Sequence, residues 1–167
     1  MQGLLNPRTA TLLLALASVT ALAAAFISQY GFDLQPCVLC IYQRWPYAIA
    51  IALCLGVQTP LTRPMIGYAL VLTALALAIN SGIAAYHVGV EQHWWAGSES
   101  CVGQGGTAQT LDALRAQIMA TPVTRCDEVA FSVFGVSMAG YNVLFSLALA
   151  AYAGLAGRFS FGTMQER

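Results

Sequence analysis

Four of the five cysteines in this 167-residue chain stand where sulfur chemistry can be done. Cys37 and Cys40 form a Cys-x-x-Cys pair, whose sulfurs come within bridging distance over a single turn, with the Cα separation meeting the roughly 4.4 to 6.8 Å that a disulfide needs. Such a pair can open and close without rearranging a fold. Cys101 and Cys126 lie 25 positions apart, and a link between them would close a flexible loop in which Gly103, Gly105 and Gly106 allow one sulfur and then the other to be presented. The second helix is expected to begin at or near Cys40, where exposed N–H groups and the macrodipole push a thiol toward thiolate. Arg44, four residues on, can stabilise the Cys40 thiolate or an oxyanion beside it. Tyr42, Trp45 and Tyr47 read as an interfacial aromatic belt with flat apolar surface for a ring-shaped ligand. Cys54, inside an apolar run, reads as a small buried hydrophobe.

The elements that position these residues follow from where charge is missing. Charged residues make up 8% of the chain against 58% hydrophobic, with a mean hydropathy of +0.67. A soluble domain carries about 25% charge, so a soluble enzyme is excluded. Seven arginines, no lysine and seven acids sum to zero, which leaves no basic footprint for nucleic acid. Thr9 to Phe32, Trp45 to Thr62, Pro64 to Val90 and Val129 to Gly157 contain no Asp, Glu, Lys or Arg over 24, 18, 27 and 29 residues. Each can hold one helix of the roughly 20 residues that cross a hydrocarbon core, and in lipid the backbone must satisfy itself, which forces helix. The expected architecture is all-α integral membrane: a bundle of four transmembrane helices at about 9–29, 41–58, 65–88 and 138–157, joined by outer loops at about 30–40 and 89–137. A secretory signal peptide is the alternative for the first span, although its apolar run exceeds the usual h-region.

Both cysteine-bearing connections fall on one face of such a bundle. With both termini cytoplasmic, Arg8, Arg63, Arg158 and Arg167 lie inside and Arg44, Arg115 and Arg125 outside, a weak positive-inside bias. Disulfides persist in oxidising compartments, so the cysteines also favour export of that face. Within the long loop, Leu111, Leu114 and Ile118 share one helical stripe with Asp112 and Arg115 off it, over Thr110 to Met119. That pattern suggests a short amphipathic helix resting on the outer membrane surface or packed on the bundle. His87 and Glu91, four apart, can relay protons, though a polar helix end at the headgroups is the plainer reading. No second close Cys or His pair gives structural-zinc spacing, so no metal is expected.

The run Pro36-Cys37-Val38-Leu39-Cys40-Ile41-Tyr42-Gln43-Arg44 closely resembles the signature of the disulfide bond formation protein B (DsbB) family. Cys126-Asp127-Glu128 followed by Phe134-Gly135 and Met138 is similar to the segment entering that family's last span. The resemblance implies a bacterial inner-membrane thiol oxidase that reoxidises a DsbA-like, thioredoxin-fold periplasmic partner and delivers two electrons to a membrane quinone, ubiquinone or menaquinone. It implies redox disulfides Cys37–Cys40 and Cys101–Cys126, with Cys101 meeting the partner, Cys126 attacking Cys37, and Cys40 with Arg44 facing the quinone. Two readings compete with it: a membrane scaffold with two permanent disulfides, and a vitamin K epoxide reductase-like enzyme. The early position of Cys37 and Cys40, at the start of the second span, argues against the latter.

Overall fold

The computed structural model describes residues 3–98, 101, 110–112, 115 and 124–165. Helices α1 (Pro7–Gly31), α2 (Val38–Tyr42), α3 (Arg44–Gly56), α4 (Ile66–Glu91) and α5 (Met138–Gln165) dominate it. Four helical stretches are long and apolar enough to cross a membrane: Pro7–Gly31, Val38–Gly56, Arg63–Glu91 and Met138–Gly162. The all-α, four-span architecture expected from the gaps in charge is therefore the architecture observed. The chain is a multi-pass membrane protein. Large apolar side chains such as Leu16, Ile27, Leu75 and Leu147 are exposed on the outside of the bundle, as a lipid-facing surface requires.

Between the spans the packing is built on small residues. Ala10, Ala50, Ala69, Ala150, Ala153 and Ala156 are buried in one core with Leu14, Leu70 and Leu77. Lipid is as apolar as leucine, so helices associate by close backbone approach and interhelical hydrogen bonds. Gly157 illustrates the first, because a Cβ there would stand 3.3 Å from Val71 Cγ2 on α4. The second appears where Ser81 Oγ donates to Val143 O at 3.1 Å and Gln58 Nε2 donates to Thr11 Oγ1 at 2.8 Å.

The second span has a break at Gln43, between α2 and α3. Pro46 supplies the reason: it has no N–H to bond the Tyr42 carbonyl four residues back, and its ring crowds that carbonyl. Ahead of α5, Ser132–Val133 (β1) pairs antiparallel with Val136–Ser137 (β2) around Phe134 (φ 50°) and Gly135 (φ 77°). Two positive φ values in a two-residue loop are the type I′ signature, and glycine takes the second without strain. Ser137 then caps α5, its Oγ accepting from Gly140 N–H at 3.1 Å.

Chain exit from α4 is fixed by an aromatic clasp. Trp95 stacks on Tyr86 with centroids 5.9 Å apart, and its Nε1 donates to Tyr86 O at 3.1 Å. Its ring lies over Gly89, where an added Cβ would fall 1.9 Å from Trp95 Cζ2. Gly89→Ala must expel the indole and is expected to destabilise the protein by about 1–3 kcal/mol, the range for overpacking. Thermal unfolding with tryptophan emission checks this; an unchanged midpoint and spectrum would contradict the clasp.

Candidate redox site

Cys37 is the N-cap of α2, and its Sγ accepts from Cys40 N–H at 3.3 Å. The helix thus starts at Val38, two residues before Cys40 and near it as expected, with Cys37 rather than Cys40 as its cap. The two sulfurs are 2.8 Å apart, and all five cysteines are free thiols. Sulfur contact with Cys40 and burial push the Cys37 thiol up to about 12, so the neutral thiol of the reduced pair is the one at Cys37.

The long loop brings its cysteines onto this pair. Cys101 and Cys126 are fully buried and form one apolar cluster with Cys37, Leu39 and Val90, flanked by Cys40. Cys126 N–H donates to Cys101 O at 3.0 Å, and Cys126 packs in that cluster with both Cys101 and Cys37. Burial first, then the neighbouring sulfurs, raise the Cys126 thiol well above the usual range. Four cysteines from three separate segments therefore converge in one cluster.

Behind Cys37 stands His87, its Nε2 3.6 Å from the sulfur and 3.7 Å from Glu91 Oε1. His87 and Glu91 are 4% and 8% exposed, so this polar helix end is covered by protein. Glu91 Oε2 accepts from Ser137 Oγ, tying the hairpin to α4. Gln43 Nε2 donates to His87 Nδ1 at 3.0 Å, so the ring proton sits on Nε2, facing the sulfur and the carboxylate. The polar string continues inward: Asn142 Nδ2 donates to Gln43 Oε1, the Tyr47 hydroxyl donates to Asn142 Oδ1, and Ser146 Oγ accepts from Asn80 Nδ2 at 2.8 Å. The Tyr47 hydroxyl and Ser146 Oγ are 2.8 Å apart, which joins the two ends.

A cavity of about 410 Å³ opens beside the pair, with Cys37, Cys40, Arg44, Tyr47, His87 and Phe145 among its walls. Arg44 is steered across it by α1, since Nη1 donates to Gln29 Oε1 at 2.8 Å and the guanidinium lies 4.9 Å from the Phe26 ring centroid. Its Nε is buried without a hydrogen-bond partner. Arg44 and Cys40 both reach this cavity. Of the three aromatic residues expected to flank a ligand, Tyr47 is buried and lines the cavity, whereas Tyr42 and Trp45 are exposed and lie outside its walls.

Gln43, Asn142, Ser146, Asn80 and Ser137 were not singled out in the sequence. Polar side chains inside charge-free spans are the signal that marks them, because such residues face the bundle interior. Cys54 is fully buried against Thr73, its Sγ 3.6 Å from Oγ1. Most of the expected loop helix, including Leu114 and Ile118, lies outside the described residues, as do Gly103, Gly105 and Gly106; Leu111 is exposed.

Comparison with known proteins converges on one family. The family model described as disulfide bond formation protein DsbB matches residues 7–156. A disulfide bond formation protein B of Haemophilus influenzae is 31% identical over 145 residues, covering 81% of this chain and 77% of its own. The Actinobacillus pleuropneumoniae protein of the same name is 30% identical over 147 residues, 82% and 78% of the two chains. An uncharacterised Rickettsia prowazekii protein, RP370, is 30% identical over 140 residues, 83% and 80%. No solved structure gives a significant match. Because the matched region takes in Cys37, Cys40, Cys101 and Cys126 together with the helices that gather them, this multi-pass membrane protein belongs to the disulfide bond formation protein B family and has an oxidoreductase role in disulfide formation.

Proposed function

We propose that the protein is a thiol oxidase of the bacterial inner membrane that reoxidises a DsbA-like, thioredoxin-fold periplasmic partner and passes the electrons to a membrane quinone. In this reading both termini are cytoplasmic and the cysteine loops periplasmic. The observation that carries it is the burial of Cys37, Cys101 and Cys126 in one cluster flanked by Cys40, beside a cavity that Arg44 enters.

Electron flow is a thiol–disulfide relay. A partner thiolate attacks Cys101 of the Cys101–Cys126 disulfide, forming a mixed disulfide and freeing Cys126 as thiolate. Cys126 attacks Cys37 of the Cys37–Cys40 disulfide, and Cys40 leaves as the thiolate bordering the cavity. The partner's second thiolate then releases Cys101, which reclaims Cys126 from Cys37. The partner departs oxidised, and the Cys37–Cys40 pair holds both electrons.

The cavity suits a quinone headgroup on three counts. Its volume falls within the roughly 300–1,000 Å³ of ligand pockets, its walls are largely apolar, and Arg44 Nε is a buried donor with no partner. A bound quinone, ubiquinone or menaquinone, would supply the two-electron acceptor that thiols lack. Arg44 would hold a quinone oxygen, Tyr47 and Phe145 would form the wall, and His87 Nε2 with Glu91 would hold a proton at the reacting edge. The apolar cluster around the sulfurs keeps water from the exchange.

The test is purified protein mixed with a reduced thioredoxin-fold partner and a short-chain ubiquinone. Partner thiols should be consumed and quinone absorbance lost in equal molar amounts of dithiol and quinone; a scaffold with permanent disulfides would do neither. Arg44→Ala should lower quinone kcat/KM by about 10²-fold, the scale of a lost oxyanion donor, and unchanged kinetics would remove Arg44 from the site. Because Cys126 titrates above the usual thiol range, only a small thiolate fraction attacks Cys37 near neutrality. In Cys101→Ser protein carrying the Cys37–Cys40 disulfide, exchange should therefore rise about tenfold per pH unit from pH 6 to 8. A flat profile in rapid-quench alkylation would contradict the raised thiol.

A further inference from the structure

We propose that the reduced Cys37–Cys40 pair and His87 form a site for a thiophilic divalent cation such as Zn²⁺, and that metal and disulfide exclude one another at these sulfurs. The two thiols and His87 Nε2, contributed by α2 with its cap and by α4, lie within 4.8 Å of one another, with Cys37 and His87 buried. Tetrahedral zinc with Zn–S of about 2.3 Å and Zn–N of about 2.0–2.1 Å sets ligand separations near about 3.8 Å for S···S and about 3.6 Å for S···N. Cys37 Sγ and His87 Nε2 already stand 3.6 Å apart. Cys37 Sγ and Cys40 Sγ stand 2.8 Å apart, so Cys40 has to swing outward by about 1 Å, toward the cavity that it lines.

Cation binding replaces the two thiol protons, which are released, and involves no electron transfer. Ligation at His87 Nε2 moves the ring proton to Nδ1, where an acceptor is needed. Gln43 provides it by turning its amide so that Oε1 faces the ring. Its Nε2 then faces Asn142, which turns likewise and leaves its Nδ2 to donate to the Tyr47 hydroxyl. The His87–Gln43, Gln43–Asn142 and Asn142–Tyr47 contacts each keep a donor and an acceptor in either orientation. The site has three protein ligands, the number that leaves a position open for water or an adjoining group. It requires only that the pair be reduced, so it stands whether or not the pair passes electrons to a quinone.

The experiment is a Co²⁺ titration of the full-length protein in nanodiscs, reduced and freed of reductant under argon, followed by displacement with Zn²⁺. The reduced wild type should take up one Co²⁺ per chain with thiolate-to-cobalt charge-transfer absorption, and the oxidised protein none. Cys37→Ser should abolish that absorption, and His87→Ala should weaken affinity by at least about tenfold. Absence of the absorption in reduced wild type, or an unaltered affinity in His87→Ala, overturns the proposal. A second measurement avoids substitution: Zn²⁺ should slow alkylation of Cys37 and Cys40 by N-ethylmaleimide, mapped by mass spectrometry. Equal alkylation with and without Zn²⁺, or protection confined to Cys101 and Cys126, also overturns it.

Discussion

Polar side chains carried into hydrocarbon have to satisfy one another, and the site rests on how this bundle meets that constraint. His87, Gln43, Asn142, Tyr47, Ser146 and Asn80 come from α3, α4, α5 and the residue joining α2 to α3, and each finds a partner on another element. An unpartnered amide in that setting costs several kcal/mol, so the string fixes the rotation of three spans at once. It ends at the Cys37 sulfur. The same requirement that orients the helices therefore sets His87 against the Cys37–Cys40 pair.

At its outer end the bundle changes solvent. Cys37 stands where α2 begins, and the β1–β2 hairpin is drawn onto α4 through Ser137 and Glu91. The Trp95 clasp turns the chain back over the last turn of α4 before it reaches Cys101. Three local devices of different kinds, a helix cap, a buried carboxylate and an aromatic stack, thus deliver the sulfurs of a long polar loop to an apolar cluster. Burial acts on the sulfurs there. Together with the neighbouring sulfurs it raises the thiols of Cys37 and Cys126, and in the proposed relay it would exclude competing water.

Much of this could be read in the sequence, for identifiable reasons. Charge is so costly inside a bilayer that its absence over four stretches marked the spans, and Cys-x-x-Cys spacing is set by one helical turn. The break at Gln43 is local too, written in Pro46, yet it went unread because hydropathy runs smoothly through it. His87 and Glu91 looked like an ordinary polar helix end, since nothing local to α4 announces that a hairpin 46 residues on, carrying Ser137, will cover Glu91. Tyr42 and Trp45 are exposed, as belt residues are, and only Tyr47 of the three lines the cavity. Which aromatic faces inward depends on the helix rotation set by Asn142 and Ser146, residues 95 and 99 positions from Tyr47.

The central claim is that Cys126 sits within reach of Cys37 as well as Cys101, so that the two pairs form a single exchange unit. Oxidation of a Cys40→Ser, Cys101→Ser protein measures this most directly, because only Cys37, Cys126 and the buried Cys54 remain. The account predicts an intramolecular Cys37–Cys126 disulfide, identified by mass spectrometry of the unreduced peptides and formed without any partner. Free Cys37 and Cys126 after oxidation, or disulfides only between separate chains, would contradict it.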